Sequence, residues 1–158
     1  MMTSPFRALH HVCIVVHDIE EAVEYYERLG IGPWSDFANP AALTELSVPH
    51  RAAFFTLRYK CAELDNIQLQ LCQPPPLDCP QRRFLDEHGE GVFHIGFAVE
   101  NVESSERAGL ALGLAALMRG RRPNGTGFTY FDTQEGAGVT LMVRSVRPTA
   151  SFLFEKQD

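Results

Sequence analysis

No stretch of this chain approaches the roughly 18 consecutive apolar residues of a membrane-spanning helix, which excludes a protein inserted in a bilayer by helices. The N-terminal Met-Met-Thr-Ser-Pro-Phe-Arg-Ala-Leu-His-His lacks the apolar core of a secretory signal. Cysteine is sparse too: the four present show neither Cys-x-x-Cys spacing nor a disulfide-rich pattern, so a reducing cytoplasm is the expected compartment. Positive charge is in deficit. A net charge of −6 and a pI near 5.5 leave no concentrated basic surface for nucleic acid. The local exception, Arg119-Gly-Arg121-Arg122, is read as a solvated loop, with an anion contact or an oligomer rim as the alternative. At 158 residues the chain is expected to form one domain, residues 1–158, with a single core.

What the chain does contain is a repeat of itself. The segment from His11 to Glu20 aligns without gaps on the segment from His94 to Glu103, an offset of 83 residues, and the same offset carries Leu29-Gly30 onto Leu112-Gly113. Residues 10–16 and 93–99 are short, β-branched and apolar, as buried strands are. Asp18 and Asn101 follow as helix N-caps, with Glu20, Glu21 and Glu103 at the positive helix end. Ile19, Ala22, Val23, Tyr26 and Leu29 keep helical spacing, and Gly30 and Gly113 stand where a left-handed residue ends a helix.

Further strands are expected at Phe54–Tyr59 and Ile67–Cys72 in the first copy, and at Gly127–Asp132 and Val139–Arg144 in the second. The three prolines of Gln73-Pro-Pro-Pro-Leu-Asp-Cys-Pro80 cannot continue a ladder, so about 74–89 is a linker, with a short helix over 81–88. Phe152-Leu-Phe154 adds a final strand or docks on the core. The fold class is therefore α+β: two βαβββ modules, about 8–75 and 90–145, pairing into a curved sheet or open barrel around one cleft.

Strand parity sorts the faces. Val12, Ile14, Val16, Ile95, Phe97 and Val99 form the apolar set under the helices. His11, Cys13, Val15, His94, Gly96 and Ala98 then share the concave side. The last strands place Gln68, Gln70 and Cys72 on that side, against Thr140, Met142 and Arg144. Tyr130 and Phe128 face either the cleft or the core. Cys13 and Cys72 read as small apolar wall residues, and His10, His17 and His88 as surface.

The segments Leu9-His-His-Val-Cys-Ile-Val-Val16, Gln70-Leu-Cys-Gln-Pro74, the run from Phe84 through His94 to Phe97, and Phe128-Thr-Tyr-Phe-Asp-Thr133 resemble the vicinal oxygen chelate superfamily. That superfamily contains glyoxalases, ring-cleaving dioxygenases, bleomycin-resistance proteins and methylmalonyl-CoA epimerases. The resemblance spans about residues 8–145 and is nearest to the epimerase-like members.

It implies one divalent metal held from the first and last strand of each module, positions that fall on His11, Gln70, His94 and Met142. Imidazole and amide donors suit Zn, Co, Mn, Fe or Ni, but a thioether hardly replaces a carboxylate, so Met142 is not expected to ligate and the metal is weakly held or absent. The acidic group that epimerases use has no counterpart in Ser47-Val-Pro-His50-Arg51, where His50 is either a replacement base or a surface histidine.

Two functions remain open. One is a glyoxalase- or epimerase-like lyase or isomerase acting beside a carbonyl, with strict methylmalonyl-CoA epimerase activity disfavoured. The other is a metal-free binder of a small apolar molecule, similar to bleomycin-resistance proteins. Cys13, Gln68, Cys72, Tyr130, Met142 and Arg144 are the expected cleft residues, and the resemblance implies a small-molecule ligand and a homodimer, with no nucleic acid and no membrane partner.

Overall fold

The computed structural model describes residues 4–37 and 43–146; Phe152–Phe154 lies outside the described residues. The first module runs β1 (Leu9–Val15), α1 (Ile19–Arg28), β2 (Ser35–Asp36), β3 (Glu45–Ser47), α2 (Arg51–Thr56), β4 (Arg58–Glu63) and β5 (Gln68–Gln73). Then α3 (Pro80–His88) leads into β6 (Gly91–Val99), α4 (Val102–Ala111), β7 (Ala116–Arg121), β8 (Gly127–Phe131), α5 (Gln134–Ala137) and β9 (Thr140–Ser145).

The caps form as the residue types require. Asp18 accepts from the Glu21 amide and Asn101 from the Ser104 amide, both at 2.9 Å. Gly30 and Gly113 take φ of 80° and 90°, left-handed values that an L side chain resists.

The nine strands of the described residues join one sheet in the order β2-β4-β5-β1-β6-β9-β8-β7-β3. β1 and β6 pair antiparallel at its centre, so the two modules dock within a single chain. The register repeats between them: Cys13 lies opposite Gln70 in the parallel β1–β5 pair, as Gly96 lies opposite Met142 in β6–β9. The two edge strands, β2 and β3, end and begin at Asp36 and Glu45. That stretch of chain reaches at most about 32 Å, whereas a flat nine-stranded sheet would part its edges by roughly 38 Å. The sheet must therefore curve. Across its concave side Phe37 carries the guanidinium of Arg144 at 4.5 Å, and Phe54 stacks on Phe128 with ring centroids 5.9 Å apart.

The convex side is packed by helices, with Ile14, Val16, Ile19 and Leu71 under α1 and Val99, Val102, Phe131 and Val143 under α4. One end of the concave side is filled by the linker helix: Leu85 and Phe84 of α3 pack with Phe93, Leu57 and Tyr59 on Cys13, Val15 and Cys72.

Two expectations about local structure are corrected. Phe54–Thr56 is helical, because the His50 ring accepts the Ala53 amide at 3.1 Å and starts α2; the strand begins only at Arg58. Arg119–Arg121 is strand β7, not a loop. Its arginines are satisfied by carboxylates: Glu106 of α4 accepts from Arg119 Nε at 3.0 Å and Arg121 Nη2 at 2.6 Å, and Glu103 from Arg121 Nε at 2.9 Å. Burial alone would raise the Glu106 carboxyl, but hydrogen bonds from Thr129, Arg119 and Arg121 outweigh it and hold the group below its ordinary range.

Candidate functional site

The centre of the concave face is set by two β-bulges related by the repeat. The β1–β6 register slips at His10 on one strand and at Phe93 on the other, so each bulge turns two consecutive side chains inward. This brings His11 and His94, each about 1% exposed, ring to ring, with Nε2 atoms 3.0 Å apart. It also overturns the surface reading of His10, which is 8% exposed, with its Nδ1 2.6 Å from Nδ1 of His11. The His11 ring lies over Gly96, where a Cβ would stand 2.0 Å from Cε1 of His11. The glycine is what makes room for the imidazole.

Burial, reinforced by the Arg144 charge, lowers His10 to about 4 and His94 to about 3. His11 falls well below its ordinary value through burial and then the neighbouring His94, His10 and Arg144. Three neutral imidazoles carry one N–H each. Nδ1 of His94 has no hydrogen-bond partner among the described residues, and a buried bare lone pair costs less than a buried orphan N–H. The N–H groups therefore run outward: His94 Nε2–H donates to His11 Nε2, and His11 Nδ1–H donates to His10 Nδ1. Both nitrogens of His11 are spent.

Beside this cluster opens a cavity of about 290 Å³, lined by aromatic side chains from both modules: Phe37, Phe54, Phe55, Tyr59, Phe128 and Tyr130. Of the residues expected at the site, His11, Gln70, Tyr130, Met142 and Arg144 line it. His94 sits behind, edge-on to the Tyr130 ring at 5.0 Å. Gln70 donates to Gln68 Oε1 at 2.6 Å, and Gln68 in turn donates to Glu63 at 2.6 Å, so Gln68 orients Gln70 without lining the cavity.

Cys13 and Cys72 also lie outside it, fully buried under α3, where burial pushes the Cys13 thiol up. Both point to the concave side, where the linker helix covers them and keeps them out of the cavity. His50 is spent on capping α2 and is absent from the lining. Phe37, Phe54, Phe55 and Tyr59 of the aromatic wall, with the basic Arg58 and Lys60, are not among the cleft residues expected from the sequence. The interleaved Arg58-Tyr59-Lys60 is the signal that could have flagged one side of it.

Charge in the cavity is asymmetric. Arg58 pairs with Glu20, and Lys60 with Asp36 at 2.6 Å. Arg144 has the face of Phe37; the titratable groups around it are Tyr130, Cys61, Arg122 and Tyr59, with His10, His11 and His94 also within reach of its charge, and no carboxylate pairs with it among the described residues. Burial draws its guanidinium below its ordinary value. This donor set does not fit a resident divalent ion. The four positions offer two neutral imidazoles, an amide and the Met142 thioether, which packs on Met118 and Tyr130, with a guanidinium nearby and no negative charge. Among the described residues no group of three His, Cys, Asp or Glu is arranged to hold a metal.

A curved sheet of two repeat-related modules with a cavity on its concave side defines a protein of the vicinal oxygen chelate architecture. A sequence model of the glyoxalase/bleomycin resistance protein/dioxygenase superfamily matches residues 10–131, and the chain belongs to that superfamily.

Methylmalonyl-CoA epimerase from Mycobacterium tuberculosis is 20% identical and superposes with a TM-score of 0.69 over 94% of this chain and 93% of that one. A variant of the Streptomyces coelicolor epimerase in complex with 2-nitronate-propionyl-CoA is 21% identical, with the same score over 90% and 99%. A hypothetical protein from Bacillus halodurans C-125 scores 0.65 at 17% identity, over 89% and 95%. At these identities the likeness is one of fold. An uncharacterized protein of Bacillus subtilis (strain 168), YqjC, is 31% identical over 90 residues, 56% of this chain and 55% of that one. The chain thus matches about half the length of this curated relative.

Proposed function

We propose that the protein holds a small, flat and largely apolar molecule in the aromatic cavity, without a resident divalent ion, as the metal-free binding members of its superfamily do. The observation that carries this reading is that no free base among the described residues faces the cavity. Both nitrogens of His11 are hydrogen-bonded, His50 caps a helix, and Asp36, the one lining carboxylate among the described residues, is neutralised by Lys60. Six aromatic rings with a few polar contacts are the composition of a small-molecule site, and about 290 Å³ is at its small end.

A lyase or isomerase acting beside a carbonyl is the second reading. It is favoured by the chain of three imidazoles, whose protons can shift together from one tautomeric arrangement to the other. A homodimer, common in the superfamily, is the expected assembly.

The test has two arms. Protein purified without chelator or nickel resin is assayed for metal, and thermal shift is run against uncharged aromatic ketones and phenols and against acyl-CoA thioesters. Substoichiometric metal and stabilisation by the aromatic compounds are expected. Stoichiometric Mn, Co, Fe, Zn or Ni, or deuterium uptake at the α-carbon of a thioester in D2O, would replace the binder with the enzyme.

A further inference from the structure

The cavity's own charges say more about what enters it. Arg144 reaches the concave side from β9, with its guanidinium against Phe37 and no carboxylate or hydrogen-bond partner among the described residues. Arg122 lines the same wall, close enough to act on Arg144 as a like charge. The other cations of the lining are already matched, Arg58 by Glu20 and Lys60 by Asp36. Arg144 is half-buried, and a charge partly withdrawn from water without a counter-ion is costly, so arginines in such places are ordinarily paired. The pairing is seen elsewhere in this chain, where Arg121 is held between Glu103 and Glu106. Among the described residues Arg144 and Arg122 of the lining have no such carboxylate, and Arg144, seated on Phe37, stands where a ligand can supply the missing charge.

We infer that the ligand is a small aromatic or apolar carboxylate, its body against the aromatic wall of Phe54, Phe128 and Tyr130 and its carboxylate on the guanidinium of Arg144. The inference rests on the cavity being a small-molecule site, and adds the sign and position of one charge. The planar guanidinium fork matches a carboxylate with two parallel N–H donations, while the Phe37 face holds the fork in place. A cavity of about 290 Å³ suits a ring-sized body, and a phosphate-bearing thioester is expected to leave its phosphates at the mouth.

Calorimetry with matched pairs separates the possibilities: 1-naphthoate against 1-naphthamide, and phenylacetate against phenylacetamide, on the wild type and on Arg144→Gln, Arg144→Lys and Arg122→Gln. The wild type should bind each acid about tenfold or more tightly than its amide, the scale of one charge-assisted hydrogen bond. Arg144→Gln should bring the acid down to the amide and leave the amide unchanged, with Arg144→Lys in between. Equal affinity for acid and amide in the wild type would overturn the carboxylate and leave the apolar cavity standing. An acid preference that survives Arg144→Gln but disappears in Arg122→Gln would move the anion to the rim and overturn the assignment to Arg144. Binding of neither member of a pair, with propionyl-CoA bound instead, would overturn the carboxylate and the apolar cavity together.

Discussion

His10, His11 and His94 occupy positions where a protonated imidazole cannot be accommodated, which ties stability to pH. His10 and His94 titrate near 4 and 3 in the folded chain, against an ordinary value of 6.5. Between those limits the unfolded chain binds protons that the folded one refuses. The stability these residues contribute is therefore complete above pH 6.5 and is lost as pH falls, with a slope of about 1.4 kcal/mol per unit for each histidine. The urea midpoint of the wild type should drop between pH 7 and pH 5 more steeply than that of a His10→Gln, His94→Gln double variant. Parallel slopes would show the rings to be protonated in the fold. Met142 gives a second prediction at this scale. Met142→Glu adds the missing negative oxygen donor beside Gln70 and His11, and calorimetry should show Zn or Co binding gained or raised at least tenfold. A wild type already binding below micromolar would refute the reading of residue 142.

The bulges of β1 and β6 are the elements that build the site. Without the bulges, strand alternation would leave His11 and His94 on the concave face but turn His10 and Phe93 away from it. Gly96 completes the arrangement by leaving its Cβ position to the His11 ring, itself hemmed by His10 and His94. Gly96→Ala should therefore cost about 1–3 kcal/mol, several degrees in thermal unfolding, and reduce ligand affinity by displacing His11. Gly136→Ala in α5, where an added methyl meets open space, is the control and should be neutral. Equal melting temperatures for the two variants would mean that the ring over Gly96 moves aside freely.

At the scale of the molecule, the two modules share one sheet through the β1–β6 pair, and the cavity takes its rings from both. Neither module has a completed central strand alone. Unfolding should consequently be a single transition. Trp34, the one tryptophan, packs with Tyr26 beside α1 and so reports the first module, while far-UV circular dichroism reports the helices of both. Urea curves from the two signals should coincide. A fluorescence transition separated from the dichroism would indicate modules that fold independently.

Local chemistry was enough to read much of this protein from its sequence. The 83-residue repeat, the Asp18 and Asn101 caps, the glycines ending α1 and α4, and the inward parity of His11, Gln70, Met142 and Arg144 all follow from alternation and capping. Tertiary structure decided what depends on distant partners. The β3–β7 pair joins residues more than 70 positions apart and has no local signature, and the arginines of β7 look like loop residues until Glu103 and Glu106 of α4 satisfy them. Likewise, α3 turned the cysteine end of the concave face into core, and curvature of the sheet brought Phe37 onto Arg144. Periodicity fixes which way a side chain points. What it meets there is set by segments that fold in from elsewhere in the chain.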